Sequence, residues 1–254
     1  MNFLTNKPVT FTGLLAVFEG IDGSGKSTVA KKIVEYLLQK EICATYLFEP
    51  TKEGYGATIR NRMVYDLDSF SVGEQASLFV LNRSDNKEKY LEPYLKQHKV
   101  ICLDRYYYSS IAYQAATGEV DPQLIYDFNK PVILNPDIVI MFDVEVDTAL
   151  YRINSNRESS TDYEKKDFLE KAQNIYRSME APNIQTVNAN ASLEEVYVVV
   201  KNWINFALDR KNIMLKQFNA GMKYLAELDK KPTQEILDAL WERIYRNAYG
   251  IVKG

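Results

Sequence analysis

The 254-residue chain is predicted to fold as an α/β three-layer sandwich, with a five-stranded parallel sheet between helical layers and a helical extension at its C-terminus. Three observations predict this. Apolar runs of strand length alternate with longer segments of helical period, as in a buried parallel sheet with helical crossovers. The first run ends in a glycine-rich turn that opens directly into a helix. The other polar motifs follow the second and third runs, at the carboxyl strand ends where such sheets bind ligands.

Leu14–Glu19 (LLAVFE) reads as the first buried strand, and 26–39 as a helix with Val29, Ile33, Tyr36 and Leu37 on one face. A second strand is expected at 43–48, helices at 57–66 and 73–97, and a third strand at 100–103. A helical stretch begins at Ser109, a fourth strand covers 137–144, and another helix starts at Thr148. The polar stretch 154–161 (NSNRESST) lacks apolar periodicity and reads as a short lid loop. Helix resumes over 163–179, the last strand covers 184–188, and a long helix covers 194–208. Residues 211–254 read as two further helices broken near Lys230, Lys231 and Pro232, giving a main domain over 1–210 and an extension over 211–254.

Composition narrows the chemistry. A formal net charge of −3 argues against a nucleic-acid surface, which needs basic excess to release counterions. One histidine, His98, excludes histidine triads and histidine-rich metal sites by count. Cys43 and Cys102 both lie in apolar runs and are expected to be buried, reduced and structural. Residues 1–13 lack a secretory h-region and no run reaches membrane-span length, so a cytoplasmic protein without membrane partners is expected.

Gly20-Ile21-Asp22-Gly23-Ser24-Gly25-Lys26-Ser27, followed by Thr28, fits G-x-x-x-x-G-K-[ST] between a strand and a helix, the setting of a P-loop NTPase-type fold. Its backbone N–H groups and the helix N-terminus would cradle phosphate oxygens. Lys26 would reach the β/γ phosphates and Ser27 would ligate magnesium, which makes ATP and Mg2+ the expected cofactors. Asp104-Arg105 after the third strand offers a second magnesium carboxylate and a guanidinium able to bridge donor and acceptor phosphates; a surface ion pair is the alternative. Glu49-Pro50-Thr51 follows the second strand and reads either as part of the site or as a plain strand-ending turn. Phe79 and Arg83 share a helical face; they would stack on and read a base, or be a core Phe and a solvated Arg. Arg152 and Arg157 flank or lie in the polar loop, where they could close over transferring charge.

These residues resemble the thymidylate kinase family from about Leu14 to Leu208. VFEGIDGSGKST resembles its P-loop, FEPTKEGYGATIR its Glu-Pro segment, and SLFVLNR the helix with base-stacking Phe79 and base-reading Arg83. LDRYYYSSIAYQ is the most specific match, placing Asp104, Arg105, Tyr106, Ser109, Ala112, Tyr113 and Gln114 in step. DYEKKDFLEKAQNIY resembles the segment after the lid and would bring Tyr163 to the nucleoside. The resemblance implies a homodimer that transfers the ATP γ-phosphoryl group to dTMP. Asp22 would lie near the sugar hydroxyl and the metal, and Arg60 and Arg105 would hold the acceptor phosphate. Glu49, Pro50, Ser110 and Gln114 would line the acceptor site, and Tyr113 would crowd the sugar 2′ position. Three features depart from the family: Asp162 before Tyr163, Phe48 before Glu49-Pro50, and the tail after Arg210. A deoxynucleoside kinase using Glu49 as a base, and a nucleotide-binding regulator with little turnover, remain the rival readings.

Overall fold

A computed structural model describes residues 12–65, 71–155, 166–227 and 232–250. Five strands, β1 (Leu14–Glu19), β2 (Ala44–Phe48), β3 (Val100–Asp104), β4 (Ile138–Asp143) and β5 (Ile184–Asn188), form one sheet in the order β2-β3-β1-β4-β5. Every pairing is parallel, with Phe18 opposite Asp104 and Phe48 opposite the same Asp104. The central β1 is buried along its whole length, which is why it reads as an uninterrupted apolar run.

Ten α-helices cover the sheet among the described residues: α1 (Lys26–Gln39), α2 (Gly54–Tyr65), α3 (Val72–Asn86), α4 (Glu92–Lys96), α5 (Tyr107–Ala116), α6 (Pro122–Asn129), α7 (Val146–Asn154), α8 (Lys166–Arg177), α9 (Leu193–Glu227) and α10 (Gln234–Ala248). Helices α1 and α9 pack side by side against the sheet, while α4 contacts β3 and α8 contacts β4, with α5 beside α8. Helix α1 buries Val29, Ala30, Ile33 and Leu37, the stripe expected from its period.

Several expectations are corrected. The segment 73–97 is not one α-helix: α3 passes through a π-helical turn at Lys87–Leu91 before α4. Pro93 has no N–H to offer the carbonyl four residues back and its ring crowds that turn, so the regular ladder cannot continue there. Helix α6 was not expected, although Asp121 caps it by accepting from the Gln123 N–H at 2.6 Å and Pro122 opens it. Cys43 is exposed and precedes β2; only Cys102 is buried.

The main correction concerns the tail. Helix α9 runs unbroken to Glu227, so residue 210 lies inside a helix and the first expected tail helix is its continuation. Its buried positions, Val196, Val200, Ile204, Ala207, Lys211 and Met214, form one stripe at helical spacing. The upper part joins the main core; Met214 joins a second cluster with Trp241 and Ile244 of α10. Phe218 stacks on Trp241 with ring centroids 4.6 Å apart. Lys211 Nζ donates to Asp137 Oδ1 at 2.8 Å, while Asp137 Oδ2 accepts from the Leu15 N–H at 2.8 Å. Tyr249 donates to the Asp137 carbonyl at 2.5 Å. The tail is thus latched to the amino ends of β1 and β4, away from the strand ends that carry the motifs.

Candidate active site

The P-loop connects β1 to α1 and presses against α7. Gly23 has φ +78, and a Cβ there would lie 2.3 Å from the Ala149 carbonyl of α7, so no side chain fits. Gly25, with φ 85, forms the N-cap of α1 and turns the backbone so that the helix N-terminus faces the loop. The Lys26 ammonium is buried and donates to the Ile21 carbonyl at 3.2 Å. Burial, joined by the like charge of Arg105, holds its pKa below the usual lysine value. Ser24 Oγ is buried with no hydrogen-bond partner, Ser27 lies beside the Tyr46 phenol, and Thr28 is exposed.

Arg105 stands just beyond β3 with φ +65, a strained value for a residue with a side chain. Its backbone N–H is tied to the Phe18 carbonyl at 3.0 Å. The guanidinium donates to Asp22 Oδ1 at 2.5 Å and to Ser109 Oγ at 3.2 Å, and lies over the Tyr113 ring at 5.1 Å. Tyr113 hydroxyl donates to Asp22 Oδ2 at 3.1 Å and accepts from the Asp22 N–H at 3.0 Å. Burial opposes the charged form of Asp22, but Arg105 and Lys26 outweigh it and hold the carboxyl below the usual aspartate range. Asp22, Lys26, Arg105 and Tyr113 therefore form one cluster at the carboxyl ends of β1 and β3.

Asp104, the last residue of β3, is buried. Its Oδ2 accepts from the Tyr46 hydroxyl at 2.7 Å, whereas its Oδ1 is buried without a partner. A buried carboxylate oxygen left bare, on a group whose charge acts on Lys26, is the chemistry a magnesium ion or its water would satisfy. No group of three or more acidic, His or Cys side chains is placed to hold a metal among the described residues. Such a sparse donor set suits an ion that keeps waters and takes substrate phosphates as ligands.

A second buried polar cluster is built around Glu49 and Arg83, both almost fully buried. Arg83 Nε donates to Glu49 Oε2 at 2.9 Å, Nη2 lies 2.8 Å from the same oxygen and donates to Ser110 Oγ at 3.2 Å, and Nη1 donates to Asn129 of α6. Asn86 Nδ2 donates to Glu49 Oε1 at 3.0 Å. Arg83 is thus neither solvated nor free and Phe79 is half-buried, so a core Phe beside a solvated Arg is corrected on both counts. Gln114, one turn beyond Ser110 on α5, is buried with both amide atoms unpartnered. Arg60 donates from Nη2 to the Pro50 carbonyl at 2.6 Å and from Nε to the Pro50 and Thr51 carbonyls at 2.9 and 3.2 Å, with Phe48 under its guanidinium at 4.9 Å. Burial, together with the nearby Arg105 cation, pulls its pKa down. Arg152 of α7 donates to the Ala189 carbonyl at 2.9 Å and to the Gly23 carbonyl at 3.5 Å, so it is fixed beside the P-loop. Arg157, Asp162 and Tyr163 lie outside the described residues.

The sequence reading missed Glu19. This fully buried carboxylate accepts from the Tyr106 N–H at 2.6 Å, from Ser109 Oγ at 2.6 Å and from Tyr176 of α8 at 3.0 Å. It joins β1, α5 and α8 behind the P-loop. The signal was available: a charged residue ending an apolar strand has to be paired. Asn82, Asn86 and Asn129 were also missed. Asn82 Oδ1 accepts from the Thr51 N–H at 3.1 Å, and no local pattern sets such a residue apart from a solvated one.

The family model for thymidylate kinase matches residues 18–198, which span all of these elements and end within α9. The chain belongs to the thymidylate kinase family. A thymidylate kinase of Akkermansia muciniphila is 36% identical over 189 residues, covering 74% of this chain and 90% of its own. One from Brachyspira hyodysenteriae is 35% identical over 192 residues, covering 76% and 93%. A probable thymidylate kinase of Archaeoglobus fulgidus is 33% identical over 198 residues, covering 78% and 98%. These family members align over nearly their whole length, while about a quarter of this chain has no counterpart in them.

Proposed function

We propose that the chain transfers the γ-phosphoryl group of ATP to dTMP, giving dTDP in nucleotide biosynthesis, and that it works in the cytoplasm. The observation that carries this reading is the meeting of two cation sets at one sheet edge. Lys26 and Arg152 surround the P-loop, Arg60 lies on the Glu-Pro segment, and Arg105 electrostatically couples to both sides. Two phosphate groups brought there would be held in line, which is most of what phosphoryl transfer requires.

In this reading Lys26 and the loop amides bind the donor phosphates, and Arg105 and Arg60 exchange their present partners for the acceptor phosphate. Ser27 and Asp104 would hold magnesium, which would supply positive charge to offset that of the donor phosphates. Arg152 serves as a fixed cation at the donor, and Arg157 as the cation that meets charge developing on the transferred group. The acceptor phosphate is largely ionised near neutral pH, so no base is needed. Glu49 already holds Arg83 and Asn86 on its two oxygens, so a base role of the kind a nucleoside kinase requires would compete with these structural contacts. Phe79 would stack on the base, and the unpartnered Gln114 amide, one donor and one acceptor, complements the carbonyl and imide N–H of a thymine edge. Tyr113, held on Asp22, would face the sugar, with Tyr163 arriving from the segment after the lid.

A coupled assay over nucleosides and monophosphates tests the reading. dTMP is expected to exceed dUMP by roughly 10–200-fold in kcat/KM, the worth of one methyl group, and thymidine to be inactive. Lys26→Ala should lose turnover while keeping its circular dichroism spectrum. Thymidine turnover, or a Lys26→Ala variant at wild-type rate, would overturn it. A homodimer belongs to the same reading. Exposed Leu81, Leu124 and Phe128 of α3 and α6 offer an apolar face that a second copy can cover isologously. Light scattering on Phe128→Glu is expected to show the monomer mass.

A further inference from the structure

We propose that Tyr46 is a positioning residue for the metal: its hydroxyl holds one oxygen of Asp104 so that the other faces the magnesium position beside Ser27. The proposal rests on the reading of Asp104 and Ser27 as metal-holding residues. Tyr46 lies on β2, two residues before Phe48, and Phe48 pairs with Asp104. Tyr46 and Asp104 are therefore diagonal neighbours on one face of the sheet, within reach of a long aromatic side chain. The phenol donates to Asp104 Oδ2 at 2.7 Å, and Oδ1 is left buried and unpartnered. Lys31 of α1 lies over the Tyr46 ring at 5.2 Å and Phe48 packs beside it at 5.8 Å, so the ring is held on two sides.

The asymmetry is the informative feature. A lone aspartate at a strand end can rotate about its side-chain torsions and offer either oxygen, or both, to solvent. With Oδ2 committed, rotation would break a charge-assisted hydrogen bond in a buried setting. Partners of this kind, one bond removed from the metal, orient the ligand and change metal affinity when lost.

The test replaces the hydroxyl and keeps the ring. Tyr46→Phe, Asp104→Asn and the double variant are titrated with Mn2+ in the presence of a non-hydrolysable ATP analogue, following free Mn2+ by electron paramagnetic resonance. Tyr46→Phe is expected to weaken Mn2+ binding by about 10-fold or more. Analogue affinity without metal and melting temperature should stay at wild type, and the effect should vanish in the Asp104→Asn background. The Mg2+ concentration for half-maximal activity should rise by the same factor, with kcat restored at saturating Mg2+. Unchanged Mn2+ affinity in Tyr46→Phe, with a loss in Asp104→Asn, overturns the proposal and leaves the metal reading intact. Unchanged affinity in both overturns the metal role of Asp104 and the proposal with it. An equal loss of analogue affinity with and without metal marks Tyr46 as packing alone and also overturns it.

Discussion

Arg83 is the side chain on which most depends for its size. It is almost fully buried, and its guanidinium meets Glu49, Ser110 and Asn129 from three separate elements. Removing one partner of a buried pair leaves the other charge uncompensated, so Arg83→Met is expected to cost about 3–5 kcal/mol of stability in urea unfolding. Full stability in that variant would show that Glu49 is neutral without its partner. Asp22 makes the pH-dependent case. Its folded pKa lies below the ordinary 3.8, because Arg105 and Lys26 outweigh the burial that opposes ionisation. A depressed carboxyl stabilises the fold above its unfolded pKa and loses that contribution as pH falls through the folded value. The stability gap between wild type and Asp22→Asn should therefore be widest above about pH 5 and close toward pH 2. A gap that widens in acid would reverse the sign of this argument.

Among the elements, the P-loop and α7 leave each other no room. A Cβ at Gly23 would sit 2.3 Å from the Ala149 carbonyl, and φ +78 disfavours any side chain there. Gly23→Ala must either push α7 away or flatten the loop. Since Arg152 of α7 is tied to the Gly23 carbonyl, both changes reach the loop proposed to hold the donor phosphates. ATP affinity measured by calorimetry is expected to fall at least tenfold, with dTMP affinity little changed. Equal losses for both ligands would indicate general unfolding instead. The P-loop was legible because its pattern is local: glycines, Lys26 and Ser27 lie within eight consecutive residues. Helix α6 was not read, although Asp121-Pro122 is a usable start signal, because its apolar face is short. Phe79 and Arg83 could be paired in the sequence, since they are four apart on one helix. That Arg83 would be spent on Glu49 and Asn129 depends on residues 34 and 46 positions away.

At the scale of the whole molecule, the tail is a continuation of α9 folded back as α10, latched at Asp137. Lys211 and Asp137 are both largely buried, and losing the lysine costs about 3 kcal/mol for such a pair. That corresponds to a fall in melting temperature of roughly 6–12 °C for a chain of this size, the measurement expected to register Lys211→Met. Because the latch is at the amino ends of β1 and β4, the KM for dTMP should not move. A shifted KM with unchanged melting would place the tail's role at the active site.

The order of the five strands, most of the helices between them and the glycine-rich loop that opens α1 were determined by the sequence alone, because each rests on periodicity or spacing within a few residues. Tertiary structure decided which charges are spent and which remain open. Glu19 is consumed by α5 and α8, Arg83 by Glu49, and Asp104 keeps one bare oxygen because Tyr46 takes the other. A charge leaves water only if partners meet it, and those partners come from elements brought together by packing the sheet and its helices.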